Sequence, residues 1–383
     1  MAPQGTVVMN ADAEAGIPPR VQHAWFRVAS FPHRTIGNPG LEMFYAGLEH
    51  HGVALTGRLT PTSGWVREHA SELDAIHIHW PEKIWRGRPR GRLEKWTRAL
   101  TLADRRAQAG FEAALVAARQ AGVRRIWTVH NLEPHDGANQ LDRRGYGIAA
   151  RESDLIICYS RAAAQSIKAL YNPVCEVAVV PHGNYFGCYP SPGPRTAFME
   201  RLGLDPSRPL VCCIGIVRAY KGLDVATDAV RQLVGEVQLA ICGVPRSKAD
   251  AAALRQAMAD VSGVFVERPL PDQDFVDLIA ASEAVLLPYR NITGSGSLLA
   301  AWTCGRGVVA SDLPLFREMV APEPRAGALF PAGDSRALAR AIRSYLAVPP
   351  DERTNAALRL ARHYDWKRTV EPVVQVFKQW KKQ

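Results

Sequence analysis

The stretch AVLLPYRNITGSGSLLAAWTCGRGVVASD, residues 284–312, reads as a strand, a turn, a helix and a second strand. AVLLPY and GVVASD at its ends are short apolar runs typical of buried strands, and LLAAWTCG between them is a helix that ends at Gly305. The turn before the helix contains Thr293, Gly294, Ser295, Gly296 and Ser297. Free backbone N–H groups at the start of a helix favour an anion such as a phosphate. The stretch therefore predicts a parallel βαβ unit and an anion site.

Similar apolar runs alternate with helical stretches along the chain. They occupy residues 21–31, 74–80, 124–130, 154–160 and 175–183, then 210–217, 237–243, 264–270, 284–289 and 307–312. A basic, proline-rich segment separates the two groups. Continuous apolar strands with helices between them indicate parallel sheets covered on both faces. We therefore predict an α/β fold of two doubly wound, Rossmann-like domains that face a cleft.

The same pattern sets the expected domain boundaries. We expect, in chain order, a loose tail over 1–20, a first domain over 21–190, a linker over 191–208, a second domain over 209–365 and a C-terminal helix over 366–383. Ligands of doubly wound domains bind beyond the carboxyl ends of the strands, so two facing domains form their site in the cleft.

The composition limits the class of protein. The chain has 383 residues, 22% of them charged, and a formal net charge of +10, which predicts an acidic partner: nucleic acid, an anionic membrane or a phosphorylated ligand. No apolar stretch approaches the roughly 18–20 residues of a membrane helix, and the first residues lack a signal-peptide pattern. The seven cysteines form no CxxC pair. We therefore expect a reducing compartment, most simply the cytoplasm.

A second candidate anion site lies in GIVRAYKGLDVATDAV, residues 215–230. Arg218 and Lys221 follow a strand and precede a helix, where two fixed cations can meet a diphosphate. The alternative is that both are solvated loop cations, the usual fate of these residues. Two anion sites in the same half of the chain favour the phosphate interpretation. Gly215, Tyr289 and Leu298 flank the two motifs and complete the predicted phosphate site.

Polar groups at strand ends in the first half predict a second part of the site. His130 ends the strand of WTVHNLEPHD, at the edge expected to face the cleft. Further groups that can bind hydroxyls or move protons follow the strands of WTVHNLEPHD and HIHWPE: His79, Glu82, Asn131, Glu133 and His135. A lone histidine is more often structural than catalytic. The spacing matches no standard metal-ligand set, so we predict no metal.

A glycine-containing loop in RTIGNPGLEMFYAGLEHHG, residues 34–52, lies between the first strand and a helix. Gly37 and Gly40 there permit close approach of the backbone to a ligand. The spacing does not match the full GxGxxG fingerprint of a dinucleotide site. We assign both glycines to the donor side of the cleft.

A basic segment, Lys83 to Arg106, contains nine Lys or Arg residues against two acids, with Trp85 and Trp96 among them. Aromatic rings among cations suit a membrane interface, where indoles lie at headgroup depth and cations meet anionic lipid. The alternatives are a solvated helix face and a nucleic-acid surface. We predict contact with an anionic membrane and no nucleic-acid partner.

In order along the chain these motifs resemble the GT-B glycosyltransferases, in particular the family-four group of nucleotide-sugar enzymes. The resemblance covers roughly residues 21–380 and is carried by HIHWPE, WTVHN, VVPHGNY, GIVRAYKGLD, AVLLPYR, GSGSLL with CGRGVVASDLP, and ALFPAGDSRALARAI. It implies that the second domain binds the nucleotide sugar and the first the acceptor, and that TVEPVVQVFKQW (369–380) crosses back to the first domain. It also implies that Arg218 and Lys221 hold the diphosphate and that His130 lies near the transferred sugar.

The chain departs from the family at two positions. The family commonly carries two glutamates eight residues apart, and Ile292 and Ala300 stand there instead. Hydroxyls of Thr293, Ser295 and Ser297 are candidate replacements. A similar GSGSLL turn is typical of bacterial β-mannosyltransferases that act on lipid-linked sugars, so GDP-mannose is the leading donor, and the stereochemical outcome stays open.

The sequence thus predicts an enzyme that moves a hexosyl unit from a nucleoside-diphosphate sugar to a glycan or polyprenyl-linked acceptor, without a metal or other cofactor. It would lie at the inner face of the membrane. A GT-B-fold nucleotide-sugar epimerase is one alternative, distinguished by needing no acceptor. A basic nucleic-acid-binding protein is another, distinguished by salt-dependent duplex binding.

Overall fold

The computed structural model describes residues 24–32, 38–57, 60–86, 102–133 and 138–383. Within these ranges the chain forms two six-stranded sheets in which every pair of neighbouring strands is parallel. Each sheet has an apolar core cluster on both faces. The prediction of two Rossmann-like α/β domains is confirmed.

The first sheet has the strand order β2-β1-β3-β4-β5-β6. Its strands are β1 Phe26–Phe31, β2 Val53–Gly57, β3 Ala75–His79, β4 Arg124–Val129, β5 Leu155–Cys158 and β6 Glu176–Val179. Alternate residues of β5 enter opposite core clusters, with Ile156 on one face and Ile157 on the other. A strand buried on both faces needs apolar residues throughout, which explains its continuous apolar sequence.

Within the described ranges, six α-helices lie between β1 and β6 along the chain. They are α1 Pro39–His50, α2 Ser63–His69, α3 Glu82–Trp85, α4 Leu102–Gln120, α5 Gln140–Glu152 and α6 Arg161–Tyr171. Helix α1 begins at Asn38, whose side-chain oxygen accepts from the Leu41 N–H at 3.3 Å, and has a proline at its first position. Both features favour a helix start. The Asn38 oxygen supplies a partner for an N–H group of the first turn, and proline has no N–H group that would need one.

The second sheet has the strand order β12-β11-β10-β7-β8-β9. Its strands are β7 Leu210–Ile214, β8 Gln238–Cys242, β9 Gly263–Val266, β10 Ala284–Leu287, β11 Gly307–Ser311 and β12 Gly327–Phe330. The helices after β6 are α7 Arg195–Arg201, α8 Leu223–Arg231, α9 Lys248–Met258, α10 Asp272–Ala281, α11 Gly296–Thr303, α12 Pro314–Val320, α13 Ser335–Leu346, α14 Pro350–His363, α15 Trp366–Thr369 and α16 Glu371–Trp380.

The strand order of each sheet reverses once. In the first sheet the reversal lies between β1 and β3, and in the second between β7 and β10. Crossover helices leave in opposite directions at such a point, which opens a crevice at the carboxyl ends of the two strands. The segments that follow these four strands therefore border the two crevices of the molecule.

The segment predicted as a linker contains helix α7, and Phe198 and Met199 of this helix are buried in a core cluster of the second domain. The C-terminal helices pack differently. In α16, Val373, Val374 and Phe377 are buried with first-domain strands. The chain therefore crosses between the domains twice.

No helix among the described residues combines the length and the apolar character required to cross a bilayer.

The contact between α16 and β1 predicts a large effect on stability. Phe377 is 1% exposed and its ring stacks on Phe26 with a centroid distance of 4.2 Å. Phe377→Ala should lower the free energy of unfolding by about 3–5 kcal/mol, because it removes buried contacts and leaves a cavity. Chemical denaturation measures this change. Lys378→Ala, on the exposed side of the same helix, is the control, and equal stability of the two variants would contradict the packing.

Candidate active site

The carboxyl ends of β3 and β4 bring two histidines together. His79 ends β3 opposite Thr128 of β4, and His130 follows the last residue of β4. The Nδ1 atom of His79 lies 2.9 Å from Nε2 of His130. Two of the polar residues predicted from strand ends are therefore direct neighbours, as parallel pairing of their strands requires.

The His79 ring begins a buried hydrogen-bonded chain behind His130. Its Nε2 atom lies 2.8 Å from the Tyr45 hydroxyl, which also lies 2.8 Å from Nδ1 of His77. The Nε2 atom of His77 in turn contacts Thr128 Oγ1 at 2.7 Å. Tyr45, His77, His79 and Thr128 are each at most 2% exposed. Such a network orients its members, because every buried polar atom in it needs its partner.

Two aromatic rings fix His130 from other sides. Trp80 stacks on it with a centroid distance of 3.9 Å, and the Tyr159 hydroxyl lies 3.4 Å from its Nδ1 atom. The backbone of Trp80 is left-handed, with φ of 45°. That conformation is costly for a bulky residue and persists only where the surrounding contacts stabilise it. Here it accompanies the stack on His130.

Burial keeps these imidazoles neutral. Desolvation lowers the pKa of His79 to about 3, with a smaller effect of the Lys83 charge, and lowers the pKa of His182 to about 4. Desolvation also holds the pKa of His130 well below its ordinary value. A neutral imidazole donates through one nitrogen and accepts through the other. These imidazoles can therefore bind hydroxyls without themselves carrying a positive charge.

The turn before α11 forms the opposite side. Ser295 caps the helix, and its Oγ accepts from the Leu298 N–H at 3.3 Å. The remaining N–H groups of the first turn, at Gly296 and Ser297, have no partner within the helix. The turn follows β10, at the reversal of the second sheet. An anion in this crevice would meet free donors and the positive end of a helix dipole.

A hydrogen bond joins the two sides. Thr293 Oγ1 donates to the backbone oxygen of His130 at 2.6 Å. The next residue, Gly294, lies against Tyr159, where an added Cβ would be 2.8 Å from a ring carbon. The structure therefore brings the predicted turn and the predicted histidine into direct contact, and any side chain at Gly294 would push them apart.

The Tyr185 hydroxyl lies between the starts of α1 and α11. A Cβ added at Gly40 would be 3.3 Å from this oxygen and only 2.8 Å from His182 Nε2. A Cβ added at Gly296 would be 2.7 Å from the same hydroxyl. Both glycines permit the two helix N-termini, one from each domain, to converge on one point.

Lys221 and Arg218 lie beyond the end of β7. The Nζ atom of Lys221 donates to the Ile214 carbonyl at 2.7 Å and to the Tyr289 hydroxyl at 3.2 Å. Lys221 is 6% exposed, and two of its three N–H donors are used. Arg218 Nε is a buried donor with no hydrogen-bond partner among the described residues. Gly215 also follows β7.

The other predicted residues have contacts of their own. Glu82 is buried and accepts from the Tyr146 hydroxyl at 3.0 Å, and desolvation raises the pKa of its carboxyl. Glu133 is exposed and forms a 3.7 Å ion pair with Arg143. Asn131 is half-buried directly after His130. Gly37 and His135 lie outside the described residues, so their predicted roles stay predictions.

Several residues of the site were not singled out from the sequence. They are Tyr45, His77, Trp80, Thr128, Tyr159, His182 and Tyr185. The alternation in HIH placed His77 and His79 on one face of β3, and VVPHGNY contains His182 and Tyr185, so part of the signal was present. Tyr45 lies on α1 among core positions, where nothing distinguishes it from a packing residue.

Within the described ranges, no group of three or more His, Cys, Asp or Glu side chains is arranged to hold a metal ion. The neighbouring histidines contact one another and Tyr45 through their ring nitrogens. These nitrogens are therefore occupied by hydrogen bonds.

Two family models match the chain, one in each domain. The model described as "Glycosyltransferase Family 4" matches residues 106–183, and the one described as "Glycosyl transferases group 1" matches residues 208–347. The match to the group 1 model, residues 208–347, contains Arg218, Lys221 and the turn before α11.

Curated relatives and solved structures are similar as well. A D-inositol 3-phosphate glycosyltransferase of Xylanimonas cellulosilytica is 29% identical over 59% of this chain and 57% of its own length. A GDP-mannose:glycolipid 4-beta-D-mannosyltransferase of Xanthomonas campestris pv. campestris is 28% identical over 63% and 62%. The chain thus spans less than two thirds of either relative. Anabaena HepE, solved in complex with UDP, is 17% identical, with a TM-score of 0.69 over 92% of this chain and 100% of its own.

The half-buried His182 predicts a loss of stability in acid. His182 has an ordinary pKa of about 6.5 when unfolded, and burial lowers its pKa to about 4 in the fold. Between these values the unfolded chain binds a proton that the native protein excludes, so stability is full above pH 6.5 and falls as the pH decreases toward 4.

Between pH 6 and 5 the free energy of unfolding of the parent should fall by about 1.4 kcal/mol more per pH unit than that of His182→Gln. The difference arises because the parent takes up one extra proton, on His182, when it unfolds. Denaturation at a series of pH values measures the slope. His363→Gln replaces an exposed histidine and should keep the parent slope. An unchanged slope in His182→Gln would contradict the burial argument.

Proposed function

We propose that this chain, whose two domains match glycosyltransferase family models, is a GT-B glycosyltransferase of the family-four type that moves a hexosyl unit from a nucleoside-diphosphate sugar to a glycan or lipid-linked acceptor. The second domain would bind the nucleotide sugar and the first domain the acceptor. The cleft between the strand ends would hold the reacting groups.

One observation carries the proposal. The buried Nε donor of Arg218 lacks a hydrogen-bond partner among the described residues, and it follows β7 at the crevice that the start of α11 also borders. A buried donor without a partner costs free energy, which a bound anion would recover. A diphosphate supplies the oxygens that a guanidinium, an ammonium and a helix N-terminus can share.

The first-domain side suits a sugar. His130 is neutral, stacked on Trp80 and bonded to the turn through its backbone oxygen. A neutral donor can bind a sugar hydroxyl without competing for the charge of the leaving diphosphate. That charge grows as the glycosidic bond breaks, so contacts from Arg218 and Lys221 would strengthen in the transition state.

The two glutamates typical of the family have no counterpart at their positions. Ala300 is buried in a second-domain core cluster and Ile292 packs against the same cluster. Catalysis would therefore depend on the cations and the helix N-terminus at the diphosphate. Thr293 and Ser295 are already bonded within the protein, which leaves Ser297 as the hydroxyl best placed to bind the donor.

GDP-mannose is the proposed donor. The name of the Xanthomonas campestris relative specifies GDP-mannose as its mannose donor, whereas Anabaena HepE was solved with UDP. A thermal-shift screen of GDP-, UDP-, ADP- and dTDP-sugars tests the choice, because a ligand that binds the native state raises its Tm. The proposal requires GDP-mannose to give the largest shift. Donor incubated alone should keep its sugar configuration, which an epimerase would change.

Lys221 is the residue for a direct test. Lys221→Met keeps most of the buried stem and removes the charge. The variant should lower kcat/KM at least about tenfold and weaken binding of the free nucleoside diphosphate, because one charge-assisted contact is lost. Binding of the bare nucleoside should stay unchanged.

Titration calorimetry with the diphosphate and with the nucleoside separates the two contributions. Lys248→Met, at an exposed position on α9, is the matched control. If Lys221→Met bound the diphosphate as tightly as the parent, Lys221 would not belong to the donor site.

We further propose that the first domain docks on an anionic membrane through residues 83–106. Residues 87–101 of this segment lie outside the described ranges. The expectation that Trp85 lies at the headgroups is wrong, because this indole is fully buried in a first-domain core cluster and donates to Asp142. A neighbouring surface supports the proposal: Arg105 of the segment lines one pocket with Arg144, and Arg144 also lines a cavity of about 460 Å³ with Arg151 and Val174. Val174 and Leu170 are exposed apolar residues on the same domain. Cations beside exposed apolar groups suit a headgroup layer.

Replacing Arg88, Arg90 and Arg92 together with Ser should release the protein from liposomes that contain anionic lipid, since each cation near an anionic membrane contributes about 1 kcal/mol. Arg86 is kept because it forms an ion pair with the buried Asp142. Sedimentation with the liposomes measures release. The control replaces Lys248, Arg336 and Arg340, exposed in the second domain, and loses the same charge. Equal release by both triple variants would reduce the effect to net charge and overturn the assigned surface.

A further inference from the structure

The hydrogen-bonded chain behind His130 has a direction, which decides which ring nitrogen of His130 carries the proton. It links Thr128, His77, Tyr45, His79 and His130 through contacts of 2.7, 2.8, 2.8 and 2.9 Å. A hydrogen bond holds one proton between its two atoms. Each ring that accepts at one nitrogen therefore donates at the other, and the choice passes along the chain.

The three histidines of this hydrogen-bonded chain are neutral. Desolvation lowers the pKa of His77, His79 and His130, so each ring carries a single N–H. The Ser30 hydroxyl also lies near Tyr45 but donates its own proton to the Pro32 carbonyl at 2.7 Å. The two rings, at 2.8 Å, are the hydrogen-bond partners of the Tyr45 hydroxyl, which has a single proton and can donate to only one of them. The proton arrangement of the chain is thus set from one end.

Thr128 is that end. Its side chain is 1% exposed, and within the described part of the protein its hydroxyl contacts only His77. If the hydroxyl accepted from His77, its own proton would be buried without a partner, which is costly. Donation from Thr128 Oγ1 to His77 Nε2 avoids this. His77 then donates to Tyr45, Tyr45 to His79, and His79 through Nδ1 to Nε2 of His130.

We propose that Thr128, His77, Tyr45 and His79 are positioning residues that hold His130 as its Nδ1–H tautomer. This N–H points toward the Tyr159 hydroxyl, at a long 3.4 Å, so a closer oxygen of a bound sugar can take its place. The opposite tautomer would present a bare nitrogen, which can accept from a sugar hydroxyl but cannot donate to its oxygen. The inference rests on the proposed function, since the sugar would lie in this cleft.

The tautomer can be measured without any activity. Nitrogen NMR of protein labelled with ¹⁵N in its histidine rings separates protonated from unprotonated ring nitrogens, and His130→Gln identifies the His130 signals. The parent protein at pH 7 should show His77, His79 and His130 all as Nδ1–H. An Nε2–H tautomer at His130 overturns the inference, whether or not any donor is turned over.

Thr128→Val removes the first donor and keeps the shape of the side chain. His130 should lose its single tautomer, and kcat should fall about tenfold, less than the 10²–10³-fold loss typical of a donor that touches the reacting group. Binding of the nucleoside diphosphate should not change, because its proposed contacts lie in the second domain. Thr128→Ser restores the donor and should restore both the tautomer and kcat.

Thr227→Val is the matched control for loss of a buried threonine hydroxyl. Thr227 is fully buried in the second domain and donates to the Asp224 carbonyl. The control should keep the parent histidine spectrum. If Thr128→Val or Tyr45→Phe also keeps the parent spectrum, the hydrogen-bonded chain does not set the tautomer of His130. If the parent shows Nδ1–H but transfers no sugar from any donor, the proposed function fails while the tautomer assignment stands.

Discussion

A parallel strand cannot follow its neighbour through a tight turn, so the chain must cross the face of the sheet before each new strand. Every strand of a domain then ends at the same edge, and the next helix or loop begins near it. In this protein apolar core clusters cover both faces of each sheet. Polar groups with a chemical role are therefore concentrated where strands end. His79 and His130 lie at such ends in one domain, and Arg218 and Lys221 in the other.

The two edges differ in charge. The first-domain edge presents imidazoles and hydroxyls whose protons are shared among themselves, and burial keeps the imidazoles uncharged. The exposed cation Lys83 lies outside them, with its Nζ 4.2 Å from the centroid of the Trp80 ring. The second-domain edge carries Arg218, Lys221 and the start of α11. A ligand with one anionic end and one neutral polyhydroxyl end has a single favourable orientation between such surfaces. The asymmetry thus supports the proposed assignment of diphosphate and sugar without reference to any particular base.

The sequence was sufficient for the features that depend on local pattern. Strands buried on both faces read as apolar runs, and these were predicted. The two strands that were missed, β2 and β12, have the short sequences VALTG and GALF, each with a run of only three apolar residues. Both lie at sheet edges, but so do β6 and β9, which were predicted. His130 and the turn before α11 followed from their positions after strands. Tyr45 and Thr128 did not, because one lies on a helix and the other inside a strand, and only the packing of α1 on β3 and β4 joins them.

The position of α16 has a consequence for how the protein is made. This helix, residues 371–380, fills part of the first-domain core, with Phe377 against Phe26 and Val373 in the same cluster. Domains usually fold from the N-terminus as they leave the ribosome. Here the second domain can bury its core while the first still lacks a helix that is translated later. On the ribosome, the N-terminal domain would therefore begin to fold first and complete its folding last.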